Sequence, residues 1–460
     1  MIFFFVKRIS VPSKMRFYVC SPQCTCQNKN IETYFPSASL GDRFHLKESL
    51  GLSKPNFEVK RHLFAAPMKP SNLGAELSRG QGVHTCSSAH THMRFLSNSL
   101  GQLFLSVFLS LALAFSTFAQ EREEKKSNIA VSGFIDAYYG YDFNRPTDEK
   151  RLPFLYNHTR ANEFAINLAL VTVNFEKGRF RANLGIQQGT YAQDNYSAEP
   201  KLLRWLNQAN AGFALNTSKS VWLDAGLMPS HIGFENAIST KNRTLSRSLI
   251  AENSPYFLTG AKLGWQADER WYFSFWVVNG WQVVQGIEGN SIPSIGTQAN
   301  FKWSPELTLN WSTLVGNNYP DETRRLRYFS NHYLIWKPTS LWEIIAGVDL
   351  GWEQQAKNSS NSSFWSGGSL ILSYELTANW KAAIRGEYYF DPDGVMATNQ
   401  NGAGLKTSGF SLNLDRNFGN NFIFRVESRY LISPESQFLS ESRSSNSDFF
   451  LLASISIHLH

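Results

Sequence analysis

Cysteine is nearly absent. The 460 residues hold four, Cys20, Cys24, Cys26 and Cys86, and none follows residue 86. Most of the chain therefore cannot be a disulfide-stapled scaffold, and no His or fourth Cys completes a zinc spacing around the first three. Long apolar runs are equally scarce. The longest stretch without a charge is Phe95 to Gln120, and nothing after it is long enough for a membrane helix. An excess of one charge is also missing from the larger part: 31 of the 44 basic and 32 of the 37 acidic residues follow Ala119, so the formal +7 belongs to the N-terminal segment. That removes the argument for nucleic acid or anionic surfaces as partners. No phosphate-binding glycine loop, zinc motif or dinucleotide fingerprint occurs, and no cofactor is expected.

What is present begins at Met93. Met93-Arg94 opens a short basic start, an apolar run follows from Leu103 to Phe115, and Ser116-Thr117-Phe118-Ala119 forms a small-residue exit before Gln120. This is the architecture of a secretory signal peptide. Such a signal works at a free N-terminus, and all 13 tryptophans lie after Ala119 while all cysteines lie before Met93. The expected organisation is a non-native upstream extension over 1–92 from a misassigned start, a signal peptide over 93–119, a flexible lead over 120–128 and one folded domain over 129–460. The competing reading, a membrane anchor at Leu96 to Gln120, is weakened by the Ser, Thr, Asn and Gln within it.

The remainder alternates polar and apolar residues with period two in sixteen segments, the first near 130–141, the third near 180–191 and the last near 449–459. Short connections such as Glu176-Lys177-Gly178-Arg179 and Ser304-Pro305-Glu306 alternate with long polar ones such as Phe143 to Ala161 and Ser433 to Asp448. Short turns on one rim and long loops on the other predict an all-β transmembrane outer-membrane barrel of about sixteen antiparallel strands, with both chain ends on the short-turn side.

Parity within single segments predicts which face meets lipid. Phe422, Phe424, Val426, Ser428 and Tyr430 alternate with Ile423, Arg425, Glu427 and Arg429. A basic residue facing lipid at mid-depth costs roughly 2–4 kcal/mol, so the charged face points inward. The same reasoning puts Arg181, Glu343, Asp349, Lys381 and Arg385 inside. Unpaired buried charge is costly, so these residues are expected to line water. Aromatics recur at segment ends, among them Tyr138, Tyr139, Trp265, Trp271, Trp303, Trp342, Trp352 and Tyr388, as interfacial girdles require.

Three further stretches carry a resemblance. Asp224-Ala225-Gly226-Leu227-Met228-Pro229-Ser230-His231-Ile232-Gly233-Phe234-Glu235 is followed by Ala251-Glu252-Asn253-Ser254-Pro255-Tyr256 with Thr259-Gly260, and then by Val278-Asn279-Gly280-Trp281-Gln282. Together with Gly133 to Tyr141 they resemble the OmpL-like β-barrel porin family. The resemblance implies an outer-membrane channel and no particular solute. In general porins the third long loop folds inward and narrows the channel. Here that loop is Pro229 to Pro255, so Lys241, Arg243, Arg247, Glu235 and Glu252 are candidate constriction residues. An external lid with solvated charges is the plain alternative.

The expected function is passive diffusion of small hydrophilic solutes across the outer membrane, with outer-membrane lipid, the solutes and the barrel assembly machinery as partners. Association into a homotrimer is an open question. Barrel proteins commonly end on an aromatic residue, whereas this chain ends Ile457-His458-Leu459-His460, which bears on recognition during assembly. His458 and His460 share a face, but two terminal histidines are a poor metal site. Two alternatives are an outer-membrane barrel enzyme of lipase or protease type and a secreted soluble β-protein that binds glycans. A nucleophilic site needs a base beside its serine. The chain after Ala119 offers only His158, His231, His332, His458 and His460, none within a nucleophile signature; Ser330 and His332, two apart on one face, read as structural. No enzyme activity is expected.

Overall fold

The computed structural model describes residues 127–146, 150–441 and 443–459. The upstream extension, the signal peptide, nearly all of the lead and His460 lie outside the described residues. Eighteen strands follow one another. They are β1 (Asn128–Asp142), β2 (Phe164–Lys177), β3 (Phe180–Gln188), β4 (Leu206–Ala214), β5 (Val221–Pro229) and β6 (Phe257–Gln266). Next come β7 (Trp271–Val278), β8 (Ser294–Lys302), β9 (Leu307–Asn317), β10 (Leu326–Trp336), β11 (Trp342–Gln354) and β12 (Ser362–Glu375). The last are β13 (Trp380–Asp391), β14 (Leu405–Phe418), β15 (Phe422–Ile432), β16 (Phe438–Ser440), β17 (Arg443–Ser445) and β18 (Ser447–Leu459).

Sixteen of them close into one antiparallel barrel in which β1 pairs with β18 and β18 with β15. The short β16–β17 hairpin stands apart in the last long loop, an element the alternation pattern does not reveal. Closure leaves no free edge, so every strand satisfies its backbone groups through its neighbours, as a lipid environment demands. Among the described residues no helix is long and apolar enough to cross a membrane.

The segment expected over 180–191 stops at Gln188. Gly189 (φ 126°) turns the chain into a short helix, Thr190–Asn195, which folds over the long-loop rim. A side chain could not follow that turn, since a Cβ on Gly189 would lie 2.4 Å from the carbonyl oxygen of Asn167. A second close approach occurs at the root of the third long loop, where Gly226 and Gly260 pair across β5 and β6. A Cβ on Gly226 would meet the Ala209 carbonyl at 2.2 Å, and one on Gly260 the Val277 carbonyl at 2.1 Å. Only glycine lets β4 to β7 crowd together there.

Parity holds on most strands and is interrupted by bulges at Asn167 of β2 and Asn207 of β4. Tyr138, expected in the girdle, points inward and is 2% exposed. On β15, Arg425, Glu427 and Arg429 are buried inside while Phe424, Val426 and Tyr430 are exposed outside. Rings line the short-turn rim almost continuously: Phe180 against Phe213, Trp265 and Trp271 against Phe273, Trp271 against Phe301, and Trp342 against Tyr374.

The interior departs from expectation. Toward the long-loop rim it is not water but a packed apolar core. Phe329, Trp365, Tyr389, Leu431, Phe450 and Leu452 point inward from the strands and meet Leu152, Phe154 and Leu155 of the first loop and Leu245, Leu249 and Ile250 of the third. The inward face is charged at mid-height and again at the long-loop ends, where Asp142, Arg327, Glu353, Asp391 and Asp448 are buried. The apolar side chains between these levels are covered by the two loops.

Candidate functional site

The third loop, residues 230–256, enters the barrel and crosses it. At its start His231 stacks on Trp276 of β7, with ring centroids 4.8 Å apart, while its backbone carbonyl accepts hydrogen bonds from Ser312 (2.8 Å) and Gln298 (3.3 Å). Burial lowers the pKa of His231 to about 4, so the ring is neutral there. The loop then reaches the opposite wall. Arg425 of β15 donates to the carbonyls of Ser239 (2.7 Å) and Asn242 (3.1 Å), and Arg385 of β13 donates to Thr244 and to the Ser246 carbonyl, both at 2.7 Å. Glu427 accepts from the Ser246 hydroxyl at 2.8 Å, Glu387 accepts from the Leu249 amide at 2.7 Å, and Arg429 donates to the Arg247 carbonyl at 3.0 Å.

These wall charges also balance one another. Glu387 pairs with Arg429 at 2.6 Å and with Arg385 at 3.3 Å, Glu427 with Arg385 at 3.0 Å, and Asp415 with Arg425 at 2.8 Å. Buried ions are tolerated when paired and hydrogen-bonded, and the loop backbone provides further partners, while Arg385 Nε and Arg429 Nη2 meet Glu387 through ion-pair contacts only. The charged wall is thus a receptor for the loop.

Each residue singled out from the sequence has a definite place. Arg385, Arg425 and Arg429 face inward, as parity requires, yet are 2%, 1% and 0% exposed; Glu427 and Asp349 are equally covered. They lie beneath the loop rather than against water, because charges that look unpaired along the sequence find each other across strands. Asp349 accepts from Asn331, whose own side-chain oxygen accepts from the Gly233 amide. Arg247 is wholly buried and braces the loop internally through the Leu245 and Ala237 carbonyls, and Glu235 does the same by accepting from Ser248. Arg243 pairs with Glu343 of β11. Lys381 pairs with Glu375 at 2.8 Å near the short-turn rim. Arg181 grips Asp224, which also takes Lys262 at 3.2 Å, and its guanidinium lies 4.0 Å from the Trp222 ring. Lys241 is exposed within the lumen.

Glu252 ties the third loop to the first, accepting from the Tyr156 amide at 2.8 Å and the Asn157 side chain at 3.2 Å. Burial raises its pKa from 4.5 to about 7, against the opposing pull of Arg247 and these hydrogen bonds. A carboxyl released to solvent ionises near 4.5, so the docked contact holds a proton through the window from 4.5 to about 7. Its stabilisation is fully present below that window and is lost as pH rises through it. The contact between the loops is therefore expected to loosen across that window, seen as a rise in single-channel conductance that Glu252→Gln abolishes. A flat profile in the unmodified protein would refute this.

Two open spaces flank this contact. On the long-loop side a vestibule of about 650 Å³ is lined by Lys150, Tyr156, Asp194, Asn399 and Glu441. On the short-turn side a cavity of about 550 Å³ lies between β1, β2 and β4, Tyr333 of β10 and the underside of the third loop. Its amide-bearing wall residues, Asn174, Asn207 and Gln208, escaped sequence reasoning, which followed charge; Asn207 and Gln208 are consecutive and reach the same face only through the β-bulge opposite Gly185 and Ile186. Leu245, Leu249 and Ile250 were a signal of inward folding, since an external lid would leave them wet. Among the described residues no cluster of His, Cys, Asp or Glu could hold a metal ion.

The family model described as "Putative beta-barrel porin-2, OmpL-like" matches residues 128–459. No curated protein matches the chain in sequence. Among solved structures, the outer membrane channel DcaP of Acinetobacter baumannii is similar at 8% identity with a TM-score of 0.50, covering 73% of this chain and 99% of that one. The anion-selective porin from Comamonas acidovorans gives 8% identity and 0.48 over 73% and 100% of the two chains. OmpT, an outer membrane protein of Vibrio cholerae, gives 9% and 0.48 over 74% and 100%. At such identities the likeness is one of fold.

Proposed function

The chain belongs to the beta-barrel porin-2, OmpL-like family, and on that premise we propose that it carries small hydrophilic solutes passively across the outer membrane along a narrow path beside its third loop. The observation that carries this reading is the loop itself, held across the barrel by Arg385, Arg425 and Arg429 with open space on either side of its contact with the first loop. The pore-lining role passes from those covered arginines to Lys241, Arg181, Lys262 and the amide-bearing wall. No chemical step is involved. Ser330 and His332 do touch, at 2.9 Å, but on the outer face of β10 beside Trp311, where no hydrophilic substrate arrives. Planar-bilayer recording of the refolded chain tests the proposal: stepwise ohmic openings support it, and turnover of lipid or peptide without conductance overturns it.

The outer face also supports a homotrimer. Thr297 bonds Thr313 at 2.7 Å, and the Trp311 indole donates to Ser330 at 3.0 Å, so β8 to β10 present a polar strip halfway along strands whose neighbours present Leu and Val. These groups pair with one another within the chain, and a second copy seated on the strip would add partners and shield it from lipid. Replacing Thr313, Ser330 and His332 by Val, Leu and Leu is expected to convert the unboiled oligomer on a mild-detergent gel to a folded monomer. Persistence of the oligomer would place the contact elsewhere.

We further propose export by the segment 93–119, with cleavage before Gln120 and insertion by the barrel assembly machinery. N-terminal sequencing of protein from the native membrane should begin at or near Gln120, and recovery of peptides from 1–92 would refute it.

A further inference from the structure

One cavity on the short-turn side of the barrel carries few charges. Among the residues lining the cavity of about 550 Å³ beneath the loop, only Glu235 and Lys241 are formally charged besides His458, and the Glu235 carboxylate is already engaged by Ser248. The neighbouring cavity of about 410 Å³ at the mouth between β9 and β13 is lined by Arg243, Lys337 and Lys381 together with Glu306, Glu343 and Glu375. Charge is thus dense in the neighbouring cavity and sparse in this one, where Lys241 is the one exposed cation among the lining residues.

In its place stand amides and rings. Asn174 of β2 is exposed to the cavity, and Asn207 and Gln208 of β4 are half-buried at its wall; Asn207 donates to Gln187 at 3.0 Å, which orients its amide. A carboxamide carries a donor and an acceptor side by side, which matches the paired hydroxyls of a polyol and offers nothing special to an ion. The rings available at the wall are the half-buried pair Phe234 and Tyr333, edge-on at 5.8 Å, whereas Tyr196 and Phe257 stack on each other at 4.0 Å and are buried behind the surface. Flat rings cover the C–H faces of a sugar ring while amides take its rim. The volume lies within the roughly 300–1,000 Å³ typical of small-molecule sites.

Building on the channel reading, we propose that this cavity is a binding station for uncharged, polyhydroxylated solutes of mono- to disaccharide size. Solute passes by exchanging water hydrogen bonds for those of Asn174, Asn207 and Gln208, and the weak net charge gives ions of the same size no advantage.

The test uses the refolded barrel in planar bilayers and proteoliposomes. Maltose added to the short-turn side should interrupt the ionic current at a defined half-blocking concentration, and maltose should enter liposomes faster than its charged acid counterpart, maltobionate. Asn207→Ala combined with Gln208→Ala should raise the half-blocking concentration about tenfold, the effect of losing two neutral hydrogen bonds, and should bring the two entry rates together. Heat-modifiable gel migration verifies that the variant is folded; Asn174→Ala, with its side chain exposed, provides the same readout if the double variant does not fold. Equal block by maltose and maltobionate, or an unchanged half-blocking concentration in a folded variant, overturns the saccharide assignment while leaving the channel intact. Absence of any ohmic step overturns the channel reading itself.

Discussion

Excision of Thr240–Leu249 should raise single-channel conductance several-fold and admit solutes that the intact barrel excludes. The expectation follows from where these residues go. Thr244 and Ser246 lie against Arg385, and Leu245 and Leu249 enter the packed apolar core. A sixteen-stranded barrel without an inward segment leaves an aqueous channel. The barrel should survive the deletion because its wall hydrogen bonds are independent of the loop, and Arg385, Arg425 and Arg429 would then face water, where salt screens them. The excision removes Lys241, Arg243 and Arg247 and no acidic residue, while Arg385, Arg425 and Arg429 keep their partners Glu387, Glu427 and Asp415. Conductance should accordingly shift toward cations. Unchanged conductance and solute exclusion in the excised protein would show that the loop does not set the width.

Loss of one wall carboxylate should cost more than loss of any surface charge. Glu387→Ala removes the partner of Arg429 at 2.6 Å and of Arg385 at 3.3 Å, and also the acceptor of the Leu249 amide. Breaking a buried pair leaves an uncompensated buried charge, worth about 3–5 kcal/mol. Glu375→Ala breaks a pair with Lys381 that is largely exposed and is worth about 0–1 kcal/mol. Urea titration followed by loss of the heat-modifiable form compares the two. A Glu387→Ala midpoint equal to that of Glu375→Ala would mean that water enters and solvates the arginines, and that the loop is not sealed against the wall.

Strand number, closure and face were legible in the sequence because each is a local property. Period-two alternation in Asn421 to Ile432 or Trp342 to Glu353 states which side is which, and the cost of charge in lipid settles the choice. The rank and length of the third loop made an inward course a candidate and left an external lid equally open. What the inward charges touch was not legible. Arg385 and Ser246 lie 139 positions apart, and no pattern along β13 announces a carbonyl arriving from another loop. The expectation that Arg385, Arg425 and Arg429 meet water assumed that a charged interior must be wet. It failed because Glu387 sits on the same strand as Arg385, Asp415 on the strand beside Arg425, and Glu387 and Glu427 reach across β14 to Arg429 and Arg385. The amide cavity was illegible for a related reason: Asn and Gln carry no charge to draw attention, and their meaning emerges only when β2 and β4 are placed side by side.

The staple between Ser246 and Glu427 spans 181 positions of chain. Its loop springs from the fifth strand, whereas its receptor is built by the thirteenth to fifteenth. During biogenesis the loop therefore exists before the surface that holds it, and it can settle only after the last hairpins have joined and β18 has met β1. Closing such distant contacts is slow and comes late. A contact this distant along the chain is expected to form after the wall strands that bear it, so that the sieve closes late in assembly.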